Sequence, residues 1–548
     1  MSRGTSGAVR WALRSVPADL VEHYRAEGWW TDESLGQRVA TGLAQQGGAA
    51  FNVHSTVRPW RGTFEEVDRA ARSLAGSLRA QGVGAGDVVV FQLPNWVEAG
   101  ITYWAAAYLG AVVVPIVHFY GAKEVGYILE VTKPACVVTP DRFGHTDHLA
   151  LYEGLLPSRG EAPLWLVVGD TPASDLPGAA VAFDSMLDGS PIDGPAAVDP
   201  DAPAIIAFTS GTTRDPKGVI HSHRTIGFET SQLNILFPTG GPPSITGAPV
   251  GHFIGMVNAF LVPLLRDHPV NLVDVWDPGE VLRLMRTERL GVGGGATYFM
   301  TSLLDHPDFT DEHLERMPFA GLGGSSVPIT VMKRLAGLGI EAFRSYGSTE
   351  HPSITGSGLD EPEHKRHTTD GHVLLGVEMR LDDEGEISSR GPDLCMGYTD
   401  PELTAATFDA EGWYRTGDVG VLDDDGYLTI TDRVSDIIIR GGENISAQEI
   451  EELMLGLGGV AEVSVVAAPD ARLGEHAAAV VRMADERPAP TIAEIRDHLS
   501  TAGLAKQKWP ESVHHVADLP RTASGKVQKF RLRQQLRDGT LETMFSSD

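Results

Sequence analysis

Thr209-Ser210-Gly211-Thr212-Thr213-Arg214-Asp215-Pro216-Lys217-Gly218 follows directly on an apolar, strand-like run, Ala204-Ile205-Ile206-Ala207-Phe208. These ten residues carry four hydroxyls, two glycines and one lysine. Backbone N–H groups and hydroxyls in a glycine-loosened loop can surround phosphate oxygens, and Lys217 can place a positive charge on the outer phosphates. The spacing is not that of the P-loop, which needs four residues between its first glycine and a Gly-Lys-Ser/Thr triplet. On its own the stretch also has the composition of a polar turn, so its meaning depends on the rest of the chain.

The chain has 548 residues, enough for two to four domains or subdomains. Its hydrophobic content of 42% and charged content of 21% are those of a globular protein. With 44 Lys and Arg against 73 Asp and Glu, the formal charge is −29, which argues against nucleic acid or an anionic membrane surface as the main partner. Anionic small ligands remain compatible, because local loops and single cations grip them. Cys136 and Cys395 are too few for a disulfide framework or a thiolate zinc site, and they fit a reducing cytoplasm. Arg3, Arg10 and Arg14 precede no uninterrupted apolar core of the secretory kind. The 19 uncharged residues Ala99 to Val117 approach the length of a membrane span. Gly110 and Pro115 divide them into a helix ending near Leu109 and a β-branched strand, which predicts a buried helix–strand unit and no transmembrane segment.

From about 60 to 290 helical and strand-like patterns alternate, the signature of helix-covered sheets. Val67 to Gln81 and Trp96 to Leu109 read as helices; Val88 to Leu93, Ala135 to Thr139 and Leu164 to Val168 read as strands. The Pro-, Gly- and Asp-rich stretch 150–203 reads as surface connection. Near 380 the texture changes: LDDEGEISSRG and LDDDGYLTITD predict a small antiparallel β unit. After Asp432 alternation resumes on a smaller scale, with strands at Ile437 to Arg440 and Val463 to Ala468 and helices at Ala447 to Leu455 and Ile492 to Thr501. The main boundary falls at 432–436.

Four further segments suit nucleotide chemistry. In Tyr346-Gly347-Ser348-Thr349-Glu350 an aromatic ring can stack on a base, a hydroxyl can meet phosphate and a carboxylate can hold Mg²⁺. Asp418, closing Gly412-Trp413-Tyr414-Arg415-Thr416-Gly417-Asp418, can accept both hydroxyls of a ribose. Arg433, in Asp432-Arg433-Val434-Ser435-Asp436, offers a guanidinium fork, with Gly441-Gly442 following it. Arg521-Thr522-Ala523-Ser524-Gly525-Lys526 places a lysine on a glycine-containing loop. Singly, each has an ordinary structural reading as a turn, a cap or a solvated loop. Gly291 to Ala296 fits a loose GxGxxG/A pattern, but no convincing strand precedes it; it reads as a glycine-rich strand end. GxSxG and HExxH are absent from the sequence.

Together, in this order and at these separations, the segments resemble the adenylate-forming superfamily of acyl- and aryl-CoA ligases, adenylation domains and luciferases. The resemblance runs from about Thr63 to Arg533 and also covers Leu93-Pro94-Asn95, Gly323-Gly324-Ser325 and Glu449-Ile450-Glu451. It implies an α/β fold. An N-terminal domain over 1–432 combines helix-covered sheets with the small β unit, a hinge follows at 433–436, and a small mobile α+β domain spans 437–548. It implies ATP, Mg²⁺ and CoA as cofactors: the carboxylate of an acid attacks the α-phosphorus of ATP, pyrophosphate leaves, and a thiol then displaces AMP. Thr209, Ser210, Gly211, Thr212, Thr213 and Lys217 would cradle the β- and γ-phosphates. Gly324, Ser325 and Tyr346 would frame adenine, Thr349 would meet the α-phosphate and Glu350 would hold Mg²⁺. Asp418 and Arg433 would hold the ribose, and Lys526 would bridge the carboxylate and α-phosphate. Gly441 and Gly442 would line the pantetheine tunnel after the small domain rotates. Two positions depart from the family pattern: Ser435 stands at a hinge position usually Asp or Lys, and Arg214 where the phosphate loop commonly has glycine.

The resemblance also places His252 over the substrate carboxylate, with Phe253, Ile254, Met256, Gly295 and Tyr298 along the acyl pocket; core packing is the alternative for each apolar member. No charged side chain stands there to pair an ammonium, so a neutral, apolar acid is expected: medium-chain, branched, alicyclic or aromatic. His118-Phe119-Tyr120-Gly121 and the segment Tyr24 to Trp30 look closest to bacterial acyl-CoA synthetases of the cyclohexanecarboxylate and fatty-acid type. The early segment is also similar to stand-alone dihydroxybenzoate-adenylating enzymes, which load a carrier-protein pantetheine. The partners expected are the acid, ATP and CoA, with room for a homodimer, in the cytoplasm.

Overall fold

The structure, a computed structural model, describes residues 11–157, 162–209, 216–238, 240–266, 268–325, 327–470, 472–484, 490–521 and 527–541, with 543–546 as backbone. The uncharged stretch is one helix and one strand. All 13 residues of the helix Val97–Leu109 are buried. Gly110 ends it in the left-handed region (φ +66°), where a Cβ would also meet Val198 Cγ1 at 2.3 Å. The chain then enters the buried strand Val112–Pro115. The helix packs on Phe64–Ala80 and Leu35–Gln46, so protein covers its apolar surface on every side. No described helix is long and apolar enough to cross a membrane.

Val112–Pro115 belongs to a seven-stranded sheet ordered Lys217–Ser222, Pro203–Thr209, Val112–Pro115, Val88–Phe91, Cys136–Pro140, Leu164–Val168, Val181–Ala182. Its pairings are parallel except for the hairpin of Pro203–Thr209 with Lys217–Ser222. Parallel strands need crossovers and are covered on both faces, hence their continuous Val and Ile runs. The stretch 150–203, expected as connection apart from the strand at Leu164 to Val168, also supplies one edge strand of this sheet, Val181–Ala182. Capping boxes at Thr63 and Ser222 fix the starts of the helices Phe64–Ala80 and His223–Leu236.

A second sheet joins Ile245–Thr246, Val270–Val273, Ala50–His54 and Trp60–Thr63. A third runs Gly294–Gly295, Phe319–Gly323, Glu341–Tyr346, Thr355–Gly356, His372–Val373, and its first three strands are parallel. The Asp/Gly-punctuated region forms four antiparallel strands, Glu378–Leu381, Glu386–Arg390, Tyr414–Leu422 and Leu428–Arg433, as its turns predict. Beyond Arg433 a separate apolar cluster, including Ile438, Ile450, Val465, Ala479 and Ile495, fills a smaller α+β unit. There the hairpin Ile438–Arg440/Glu443–Ile445 turns at Gly441-Gly442, both at positive φ, and the long strands Val460–Asp470 and Gly474–Met483 pair antiparallel.

Candidate active site

The hairpin of the seven-stranded sheet ends with Thr209 opposite Lys217. Both side chains are half-buried at the base of the loop that the sequence marks for phosphate. Ser210, Gly211, Thr212, Thr213 and Arg214 lie outside the described residues, as does Lys526. Gly218 is held on its other side by the Thr399 N–H, which donates to Gly218 O at 2.8 Å; a Cβ on Gly218 would meet Thr399 at 2.8 Å.

Beside Gly323, which pairs with Ser345 in the parallel register, the strand Glu341–Tyr346 runs out into a tight turn. Ser348 N donates to His351 O at 2.9 Å and His351 N to Ser348 Oγ at 3.2 Å. Gly347 is obligatory, since a Cβ would sit 1.8 Å from Pro352 O. The turn displays Thr349 and Glu350, and three external groups pin it. His221 Nε2–H donates to Thr349 O at 2.8 Å. Cys395 N–H donates to Glu350 O at 2.8 Å, and the Tyr398 hydroxyl donates to Glu350 Oε1 at 2.9 Å. Burial pushes the His221 imidazole down to about 4, so the ring is neutral at physiological pH. His221 also stacks on Phe253, with centroids 4.7 Å apart, and it lies four residues beyond Lys217 on the same strand. One strand therefore connects the base of the Thr209/Lys217 hairpin, the Thr349–Glu350 turn and Phe253, the first residue of the helix expected to border the acid.

Behind the turn His351 is fully buried, with Nε2 3.2 Å from Asp393 Oδ1 and Nδ1 2.8 Å from Ser389 Oγ. Ser353 Oγ donates to Glu229 Oε1 at 3.1 Å. Burial, followed by the nearby Asp393 charge, raises the Glu229 carboxyl well above its usual range.

Asp418 and Arg433 are cross-strand partners, and Arg433 Nε lies 2.9 Å from Asp418 Oδ1. The Tyr346 hydroxyl donates to Asp418 Oδ2 at 2.7 Å. Burial and then Asp418 push the Tyr346 phenol up, so it remains a donor. Three residues expected at a nucleoside site are thus in direct contact, with the carboxylate fixed and the Arg433 side chain exposed.

Gly295, Gly323 and Tyr346 stand at the carboxyl ends of neighbouring parallel strands, the edge at which open α/β sheets bind ligands. A Cβ on Gly294 (φ +126°) would meet Gly321 O at 2.0 Å, which explains glycine where the strands approach. Gly324 (φ +76°) and Ser325 follow, both exposed. His252 stands at the N-cap of the helix Phe253–Phe260 and is half-buried, as is Ile254. Phe253 and Met256 belong to the main core, Met256 with no exposed surface, while Tyr298 is 53% exposed and Gly295 is exposed. In the smaller unit Gly441 and Gly442 are exposed. Ser435 is exposed too, and its carbonyl accepts from Arg533 at 3.3 Å beside the Arg533–Asp436 ion pair of 2.8 Å.

Sequence reasoning missed His221, Cys395, Tyr398 and the His351–Asp393 pair. Only His351, directly after Glu350, carried a local signal; the others act across more than 40 residues and follow no periodicity.

A hairpin ending at Thr209 and Lys217, a pinned Thr349–Glu350 turn and a Tyr346–Asp418–Arg433 cluster on two α/β units are the arrangement expected of an adenylate-forming enzyme. Residues 44–399 match the model of the AMP-binding enzyme family, and residues 449–526 match that of the AMP-binding enzyme C-terminal domain. The chain belongs to the AMP-binding enzyme family. The medium-chain fatty-acid–CoA ligase of Escherichia coli K12 is 33% identical over 529 residues, covering 94% of this chain and 92% of that protein. A methyl-dioxo-octahydroindenyl-propanoyl:CoA ligase of Rhodococcus jostii RHA1 is 36% identical over 489 residues, 86% of this chain and 93% of that one. The crystal structure of ATP-bound MatB from Rhodopseudomonas palustris superposes with a TM-score of 0.80 at 27% identity, covering 92% of this chain and 99% of that one.

Proposed function

We propose that this chain is an AMP-forming acid–thiol ligase that converts a neutral, apolar carboxylic acid to its acyl-CoA. In the first step a carboxylate oxygen bonds to the α-phosphorus of ATP and the bond to pyrophosphate breaks. In the second, the CoA thiol attacks the acyl carbon, AMP departs and the thiol proton passes to solvent. The first step joins two anions, so the protein must supply orientation and positive charge. The observation that carries the reading is the strand Lys217–Ser222. It begins at the phosphate hairpin, holds Thr349 through His221, and stacks His221 on Phe253.

In this reading Thr209 and Lys217 flank the grip on pyrophosphate, Thr349 meets the α-phosphate, and Asp418 with Arg433 takes the ribose beside Tyr346. Glu350 suits Mg²⁺ brought by ATP: Tyr398 occupies Oε1, and Oε2 accepts no hydrogen bond among the described residues. No group of three or more metal-ligating side chains occurs among those residues. One carboxylate plus phosphate oxygens and water is the way Mg²⁺ is usually held. Bound there, the ion would neutralise phosphate charge. Lys526 stabilises the charge of the forming bond, and His252, Ile254, Gly295 and Tyr298 border the acid. The stretches His252 to Phe260 and Gly291 to Leu304 contain no Asp, Glu, Lys or Arg, which supports an apolar acyl group. The fatty and alicyclic acids in the relatives' names agree, and the CoA in those names favours free CoA over a carrier protein.

The domain division we assign is 1–432 and 437–548 about a hinge at 433–436. Exposed Ser435 takes the backbone change, and Gly441-Gly442 replaces Lys526 for the second step. Two free, buried thiols, Cys136 and Cys395, support a cytoplasmic location. The test incubates the protein with ATP, Mg²⁺, CoA and a panel of medium-chain, branched, alicyclic, aromatic and amino acids. Acyl-CoA and AMP should form together for apolar acids; preference for a charged amino acid overturns the substrate class.

A further inference from the structure

We infer that Arg14 is a positioning residue for adenylation, acting through the Leu394–Cys395 peptide on Glu350; this rests on the function proposed above. Arg14 lies outside the segments that match the family models. Its Nη2 donates to Leu394 O at 3.2 Å, its Nε to Cys395 O at 2.7 Å, and its backbone N–H to Met396 O at 2.8 Å. The guanidinium also lies over the Phe408 ring, 5.4 Å from its centroid.

The peptide whose carbonyl is Leu394 O carries the Cys395 N–H that donates to Glu350 O at 2.8 Å. One peptide plane is therefore held by Arg14 on one side and holds Glu350 on the other. Hydrogen bonds through a shared peptide polarise one another, and a cationic donor on the carbonyl strengthens the N–H as a donor. Three residues further on, Tyr398 holds the carboxylate of the same Glu350. Between them Met396 N donates to Ile220 O at 2.7 Å and Ile220 N to Gly397 O at 2.9 Å, tying the segment to the strand of Lys217 and His221.

The arm that carries Arg14 is itself seated. Trp30 Nε1 donates to Pro392 O at 2.9 Å, and Arg224 donates to Thr31 O and pairs with Asp32 at 3.0 Å. Residues 392–398 thus form a strut between the arm and the Glu350 turn. Among the described residues all of Arg14's hydrogen bonds go to main-chain carbonyls, so its fork geometry, more than its charge, fixes the strut; lysine, a point donor, cannot hold two successive carbonyls in the same way.

The test compares full-length wild type, Arg14→Met and Arg14→Lys in three measurements: acid-dependent ATP–pyrophosphate exchange over a Mg²⁺ titration, thioester formation from supplied acyl-adenylate and CoA, and melting temperature. Exchange by Arg14→Met should fall about ten-fold, with a raised Mg²⁺ requirement, while thioester formation stays within about two-fold of wild type. Arg14→Lys, which keeps charge and stem, should fold as wild type and fall between the two. Exchange within about two-fold of wild type in both variants, or equal losses in both half-reactions, overturns the inference. A wild type that exchanges with no acid overturns the proposed function instead, and the inference with it.

Discussion

Tyr398 and Glu350, 48 residues apart in the chain, meet through a phenol–carboxylate hydrogen bond of 2.9 Å. Burial and the adjacent Glu350 charge raise the Tyr398 phenol far above its ordinary range, so it remains a donor at every working pH. Tyr398 is in turn bridged to Val219, between Lys217 and His221. Placement of Glu350 is therefore a property of the strand pairing as much as of its own turn.

Tyr398→Phe removes this donor and little volume. ATP–pyrophosphate exchange should fall about ten-fold, the scale of one hydrogen bond to a charged group, and the melting temperature should change little. An unchanged exchange rate at limiting Mg²⁺ would contradict the role given to the phenol.

Asp418→Asn leaves Arg433 without its charge partner and offers the ribose a weaker acceptor. The KM for ATP should rise about ten-fold or more, with the KM for the acid nearly constant. A larger effect on the acid than on ATP would place Asp418 at the wrong substrate.

Lys526→Ala should slow adenylation by about 10², the loss expected for one preorganised charge-stabilising group. Thioester formation from supplied acyl-adenylate should be much less affected. Equal damage to both steps would contradict domain rotation.

His118, His148, His221 and His223 are each pushed down to about 4 by burial, against an ordinary value of 6.5. Between these values the unfolded chain binds protons that the folded one refuses, so stability is full above about pH 6.5 and falls as pH drops toward 4. His148 is wholly buried, and neither ring nitrogen has a partner among the described residues. His148→Leu should therefore keep the melting temperature near neutral pH and remove about one proton from the acid slope. An unaltered slope would refute this.

Much of the fold was legible because it follows from periodicity and punctuation. Gly110 and Pro115 divided an apolar run correctly, and Asp/Gly turns marked the antiparallel sheet. The order of Thr209, Glu350, Asp418 and Arg433 fixed the family, and the structure joins Tyr346, Asp418 and Arg433 directly. The supports were not legible. His221 on Thr349, Cys395 on Glu350 and Asp393 on His351 are pairings between distant segments, and a buried polar group looks in sequence like any other. Met256 shows a further limit: expected from the resemblance along the acyl pocket, it packs wholly into the core, the alternative that the sequence leaves open for each apolar residue there.

The central claim, that this site joins an acid to AMP, is tested most directly by ATP–pyrophosphate exchange in wild type and Glu350→Gln without CoA. The account predicts exchange that depends on an apolar carboxylic acid and is strongly reduced in Glu350→Gln. Exchange without any acid, no exchange with any acid, or exchange undiminished by Glu350→Gln would contradict it.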